Sequence, residues 1–162
     1  MIYLTGESGF LGSSLKKWFF LKGKDLISIN RHELKNIENV PYINIDNEEN
    51  TLIHCAWAGV LGKYRNNEDM QKNNFFISDQ VNKLIKELNI KKLIAFGSQA
   101  EYGSPNELVD ELSFLNPTTD YGRAKILIHE KFKEIANQNS IKLIWLRLFD
   151  PYGPGDNPHW FL

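Results

Sequence analysis

Short apolar runs alternate with amphipathic segments along this chain, and that alternation restricts its fold more than any other feature. Ile2–Thr5 reads as a strand, and Gly9–Leu21 as a helix with Leu11, Leu15, Trp18 and Phe19 on one face. Leu26–Asn30 reads as a second strand, Val40–Ile45 as a weaker third and Thr51–Ala56 as a fourth. Only the polar residues Asp46–Asn50 separate the third from the fourth, too few for a full crossover helix. A long helix lies within Asn66–Leu88, where Ile77, Val81, Leu84, Ile85 and Leu88 recur at the helical period. Leu93–Gly97 is a strand, and Thr119–Asn137 a helix with Ala124, Ile128, Phe132 and Ile135 on one face. Ile141–Phe149 is the last strand, and Asp150–Leu162, rich in Gly and Pro, reads as a loop.

Strands alternating with helices predict an α/β fold with a largely parallel sheet. Right-handed crossovers favour a doubly wound, Rossmann-like sheet of about six strands in the order 3-2-1-4-5-6, with ligand beyond the strand C-termini at the switch point. No repeat, linker or low-complexity segment interrupts the pattern, so residues 1–162 read as one domain.

Composition narrows the function classes. Nineteen basic residues stand against twenty acidic ones, so no basic field exists to hold nucleic acid or an anionic membrane. No apolar run approaches the roughly 20 residues that span a bilayer. The N-terminus lacks the basic region and apolar run of a signal peptide. The single cysteine, Cys55, excludes an intramolecular disulfide and suits a reducing compartment. Together these predict a cytoplasmic protein.

The residues that carry chemistry sit at predicted strand ends. Thr5-Gly6-Glu7-Ser8-Gly9-Phe10-Leu11-Gly12 joins the first strand to the first helix. Gly6 permits a tight turn, Gly9 lets the backbone approach a pyrophosphate at the helix N-terminus, and Gly12 lets helix and strand pack closely. Alone, such a turn is a weak signal. Tyr121-Gly122-Arg123-Ala124-Lys125 places a tyrosine and a lysine four residues apart, on one helix face. A neighbouring ammonium favours the phenolate and brings a tyrosine toward working pH. Alone, this pair is more often an accident of a solvated helix. Ser98 opens Ser98-Gln99-Ala100-Glu101-Tyr102-Gly103 at the end of the fifth predicted strand. His54 reads as a packed core histidine, because no second metal-type ligand lies at a useful spacing.

The Gly-x-x-Gly-x-x-Gly spacing, the Tyr-x-x-x-Lys pair and the Ser-x-x-x-Tyr-Gly run together resemble the extended short-chain dehydrogenase/reductases, the NAD(P)-dependent sugar-nucleotide epimerases and dehydratases. Ile53-His54-Cys55-Ala56-Trp57-Ala58, Asn74, Pro117–Tyr121 and Arg147-Leu148-Phe149-Asp150-Pro151-Tyr152-Gly153-Pro154 match further family positions in order. Asp150 stands where many members have Asn. The resemblance implies hydride chemistry on a nucleoside-diphosphate sugar, by an epimerase or a keto-reductase. Tyr121 would be the general acid or base, Lys125 would lower its pKa and hold the nicotinamide ribose, and Ser98 would hold the reacting oxygen. The implied cofactor contacts are Gly6, Ser8, Gly9, Phe10, Leu11, Gly12, Asn30, Arg31, Asp46, Cys55, Ala56, Trp57, Asn74, Tyr121 and Lys125. The implied substrate contacts are Ser98, Gln99, Ala100 and Asp150. Dehydratases usually carry an acidic pair after the serine, and Gln99 and Ala100 stand there instead.

Asn30 and Arg31 at the end of the second strand replace the acidic residue that normally grips the ribose of NAD, which favours NADP over NAD. Glu7 argues the other way, since it could repel a 2′-phosphate. Family members often pair the two long helices into a homodimer, and adjacent Phe75 and Phe76 cannot both face one core stripe. Members are also much longer, with a C-terminal lobe over the substrate that this chain lacks. A chain ending at Leu162 is expected to bind a nicotinamide cofactor without turning over a nucleotide-sugar unaided. Two rivals stand beside this reading. One is a catalytically silent module that binds cofactor or a protein partner. The other, an S-adenosylmethionine enzyme, gives no reason for the Tyr121/Lys125 pair.

Overall fold

The computed structural model describes residues 1–40 and 49–155. Its sheet holds five parallel strands: β1 (Ile2–Thr5), β2 (Leu26–Ile29), β3 (Asn50–His54), β4 (Ile90–Ser98) and β5 (Lys142–Leu148). They lie in the order β2-β1-β3-β4-β5, every neighbouring pair parallel. This is the predicted doubly wound arrangement with the strand at Val40–Ile45 left out; beyond Val40 that strand lies outside the described residues.

Among the described residues four α-helices connect the strands: α1 (Phe10–Leu21), α2 (Arg31–Lys35), α3 (Glu68–Glu87) and α4 (Asp120–Asn139). The short α2 has no apolar period to announce it. It forms because Asn30 caps it, accepting from the His32 and Glu33 amides at 2.8 and 3.1 Å while Glu33 accepts from the Asn30 amide at 2.7 Å. That box ends β2 at Ile29, one residue earlier than the sequence pattern suggests.

The main core lies between the sheet and α2, α3 and α4. Tyr3, Leu52, Leu93 and Ala95 from the strands meet Leu34, Val81, Leu84, Ile128 and Phe132 from the helices. The periodic residues of α3 and α4 supply this face as expected, and the two helices pack on each other. The apolar stripe of α1 behaves differently. No α1 side chain joins the buried cluster, and on the face shared by Leu11, Leu15, Trp18 and Phe19 the first two and Phe19 are partly buried while Trp18 is 51% exposed. Among the described elements α1 packs chiefly on β1 and β2, which leaves the flank carrying Trp18 uncovered. Among the described residues no helix is long and apolar enough to cross a membrane.

Candidate active site

A cleft of about 1260 Å³ opens at the C-terminal ends of the strands. It straddles β1 and β3, where the strand order reverses, the usual crevice for a ligand in a doubly wound sheet. One wall is the turn between β1 and α1. Gly6 sits at φ +75°, and a Cβ there would lie 2.5 Å from the Ala56 amide nitrogen. A Cβ on Gly12 would lie 2.1 Å from the Gly6 carbonyl oxygen, so β1 and α1 approach closely because Gly12 lacks one, and the turn lies against the loop after β3 because Gly6 does. Gly9 is the N-cap of α1 and offers no side-chain cap, and the first turn holds no acidic residue. The helix N-terminus therefore presents uncapped N–H groups, which suit an anion. Bare backbone, a helix end and this volume fit a dinucleotide.

Ser8, Phe10 and Leu11 line the same wall, with Asn30 and Arg31 beyond them at the end of β2. The Asn30 carboxamide is committed to capping α2, which leaves Arg31 as the group able to meet a ligand there. Glu7 is paired with Lys16, which holds its carboxyl below the usual range. Cys55, Ala56 and Trp57 line the floor after β3. Burial pushes the Cys55 thiol up to about 12, so it stays protonated. Just below, His54 is buried, with Nδ1 2.7 Å from the Thr5 hydroxyl and its ring edge-on to Phe132. Burial lowers its pKa to about 3, which leaves a neutral core histidine. Among the described residues no group of three or more His, Cys, Asp or Glu could hold a metal ion.

Asn74 does not line the cleft. It is 2% exposed, accepts from the Ala58 amide at 2.7 Å and donates to the Ala58 carbonyl at 3.0 Å. Its work is to clamp the loop after β3 from behind. Asp46 lies outside the described residues.

The opposite wall comes from β4 and α4. Ser98, the last residue of β4, and Tyr121 and Lys125 on α4 all line the cleft. Ser98 also caps the short turn Gln99–Glu101: its hydroxyl oxygen accepts from the Ala100 amide at 3.2 Å, and the O–H stays available to donate. Gln99 lines the cleft and donates to Asp150 at 2.8 Å. Asp150, also on the cleft wall, has φ +41°, a left-handed conformation that Asp and Asn tolerate better than most residues. Ala100 is not part of the lining; its carbonyl packs where a Cβ on Gly122 would come within 2.3 Å.

Tyr121 is buried, and burial is the largest influence on its phenol, raising its pKa; Ser98 and Arg65 pull it down. Lys125 lies 5% exposed with its ammonium 3.5 Å from the centre of the Trp57 ring, donating to the Phe96 carbonyl at 2.6 Å. It is 5.5 Å from the centre of the Tyr121 ring. Burial lowers the Lys125 pKa to about 7, against the opposing pull of Glu101.

Composition and motif gave no warning of two further residues. Glu101 is fully buried; it accepts from the Ser98 amide at 2.8 Å, from Trp145 Nε1 at 3.2 Å and from Arg147 Nε at 2.7 Å. A Cβ on Gly97 would come within 2.3 Å of this carboxylate, so a glycine there makes room for it. It stands three residues after Ser98, at the end of the strand-end turn that Ser98 caps. Arg65, in the loop before α3, also lines the cleft, and nothing in the sequence marks it.

The model of the NAD dependent epimerase/dehydratase family matches residues 2–161. This chain belongs to that family. It is 27% identical to the UDP-glucose 4-epimerase GEPI42 of Cyamopsis tetragonoloba over 94% of this chain and 52% of the relative. It is 25% identical to the ADP-L-glycero-D-manno-heptose-6-epimerase of Pseudomonas aeruginosa, over 94% and 52% of the two chains. The solved complex of the Thermus thermophilus UDP-glucose 4-epimerase with NAD superposes with a TM-score of 0.78 at 19% identity, covering 98% of this chain and 58% of the other. The epimerase/dehydratase fold is therefore shared, and the chain spans about half the length of the curated relatives it matches.

Proposed function

We propose that this chain binds a nicotinamide dinucleotide and serves the epimerisation or keto-reduction of a nucleoside-diphosphate sugar, with Tyr121 moving the proton. The observation that carries this reading is the meeting of Ser98, Tyr121 and Lys125 on one wall of a cleft whose other wall is the Gly6–Gly12 turn. The family relatives named above act on nucleotide sugars.

The Gly6–Gly12 backbone and the N-terminus of α1 would hold the pyrophosphate. Arg31 would meet the adenine ribose, and Trp57 and Lys125 would flank the nicotinamide end. When bound, the dinucleotide supplies the acceptor and donor of hydride. Tyr121 would take the proton from a sugar hydroxyl, or return it in the reductive direction. The Ser98 O–H would donate to the same oxygen and stabilise its growing charge. Gln99 and Ala100 replace the acidic pair expected of a dehydratase, so elimination is not part of the proposal.

NADP(H) is the preferred cofactor, with NAD(H) the alternative. Arg31 offers a planar fork of donors to a 2′-phosphate, and the pairing of Glu7 with Lys16 removes the repulsion that would oppose it. The protein is further proposed to form a homodimer through α3 and α4. Phe76 and Leu127 expose 51% and 55% of their surface on those helices, whereas Phe75 packs inward. Sedimentation at tens of micromolar tests this, and a monomer counts against it.

One experiment tests the main reading. The protein is titrated with NADPH and NADH and then given a panel of nucleotide-sugars while nicotinamide absorbance is followed. Tighter NADPH binding is expected of this chain; in the longest natural form of the protein, turnover should be abolished in Tyr121→Phe with cofactor affinity kept within a few fold. Turnover in Tyr121→Phe within tenfold of the parent would overturn the role of Tyr121; equal or tighter NADH binding would overturn the cofactor preference.

A further inference from the structure

The end of α1 farthest from the cleft carries a cluster that the cleft does not use. The chain as a whole sets nineteen basic residues against twenty acidic ones, but that balance is not local. Over residues 16–24 the lysines Lys16, Lys17, Lys22 and Lys24 are interleaved with Trp18, Phe19, Phe20 and Leu21, and no acidic residue falls among them; Asp25 follows directly. Among the described residues Lys16 pairs with Glu7, while Lys17, Lys22 and Lys24 make no ion pair. Phe20 is 81% exposed, Leu21 69% and Trp18 51%. The end is also well ordered. The Gly23 amide donates to the Phe20 carbonyl and the Lys24 amide to the Phe19 carbonyl, each at 3.0 Å, and the Trp18 ring stands edge-on to half-buried Phe19 with 5.0 Å between ring centres.

We propose that this end of α1 docks on the surface of an anionic lipid bilayer, with the cleft facing away from it. At a helical pitch Trp18, Phe20 and Leu21 spread over roughly half the circumference of α1, with Lys17 among them. A protein groove takes a single stripe of helix side chains, and these residues form a crown around the helix end instead. A bilayer interface accepts rings from several sides at once and surrounds them with negative headgroups. Tryptophan is favoured at headgroup level, and lysine stems lie along the apolar boundary while their ammonium groups stay in water. A nucleic-acid backbone would draw on the lysines alone and bury neither Phe20 nor Leu21. The geometry leaves the cleft free. Gly9, the N-cap of α1, lines the cleft, and α1 runs back between the parallel strands β1 and β2, so its far end lies at the opposite edge of the sheet. None of residues 16–24 lines the cleft. The docking is independent of the chemistry proposed there.

Sedimentation with lipid vesicles tests this. The chain is mixed with phosphatidylcholine vesicles, with and without about one-third phosphatidylglycerol. Binding is expected on the anionic vesicles, about tenfold or more weaker on the neutral ones, and weaker again as salt is raised. The triple variant Lys17→Gln, Lys22→Gln, Lys24→Gln should weaken it by about a hundredfold, roughly fivefold for each lysine near the surface. The double variant Phe20→Ser, Leu21→Ser should weaken it by about tenfold or more with every lysine in place. All five side chains are exposed, so both variants should keep the parent's circular dichroism and urea midpoint. A spin label at headgroup depth should quench the parent's tryptophan fluorescence, and Trp18→Phe should remove most of that quenching. No binding to the anionic vesicles, undiminished binding in both variants, or equally tight binding to duplex DNA overturns the proposal. A dimer in lipid-free solution that Phe20→Ser, Leu21→Ser converts to monomer overturns it by giving the face to a second copy. Binding by this chain that is absent from the longest natural form overturns it by giving the face to the rest of that protein.

Discussion

Along β1 the cleft is walled by backbone, with Gly6, Gly9 and Gly12 presenting amides and bare Cα atoms and no ionisable group of their own. At the ends of β4 and β5 it is backed by charge that water cannot reach: Glu101, fully buried, is held by Ser98, Trp145 and Arg147, with the Lys125 ammonium near enough to feel its field. The first wall depends on where atoms are missing, the second on charges being compensated. The two should therefore fail in different ways when a single side chain is changed.

The largest effect is expected on the charged wall. Glu101→Leu leaves the Arg147 guanidinium, with only 15% of its side chain exposed, without its carboxylate. Breaking such a pair from one side costs about 3–5 kcal/mol. Urea unfolding should show a loss of that size, and adding Arg147→Leu should recover a substantial part of it. If the double variant is as unstable as the single one, the wall is held by packing and not by compensation.

A smaller loss is expected on the backbone wall. Gly12→Ala puts a methyl group 2.1 Å from the Gly6 carbonyl oxygen. Overpacking of this kind costs about 1–3 kcal/mol. Moving the turn should also weaken cofactor binding by more than tenfold, because the amides of the helix end shift with it. Calorimetric titration checks this; unchanged affinity would mean that the turn does not hold the ligand.

A third effect is a slope with pH. Burial lowers the Lys125 pKa to about 7 in the fold, while an ordinary lysine in the unfolded chain titrates near about 10.4. Between those values the unfolded chain binds the extra proton, so stability rises as pH rises through that window. Below it both states carry the charge, and the fold bears the whole cost of burying it. Lys125→Met should flatten the rise. A parent chain whose stability is level from pH 7 to 10 would show that Lys125 is better solvated than its surroundings suggest.

The two walls also differed in how far the sequence disclosed them. The glycine wall was legible because its physics is local: a tight turn and a close helix–strand approach each need a missing Cβ, and the spacing of Gly6, Gly9 and Gly12 states both. Tyr121 and Lys125 were legible as a pair because four residues is one helical turn. What they touch was not. Lys125 turns to Trp57, which is 68 residues away along the chain, and Arg65 reaches Tyr121 from a loop without periodicity. Glu101 was hidden because glutamates are rarely buried unless paired, and its partners Trp145 and Arg147 arrive only with β5. The exposure of Trp18 was not legible, because helical spacing says which residues share a face, not whether anything covers it. The Asn30–Glu33 capping box was written plainly, yet a helix of five residues offers no repeat to draw attention to it.

A wall made of main chain has a consequence for divergence. Amides are the same in every protein, so most residues around such a wall are free to drift as long as the few that must lack a side chain keep lacking one. Lineages built this way should vary first in the side chains of the charged wall, where a change of partner alters the chemistry and leaves the cradle as it was.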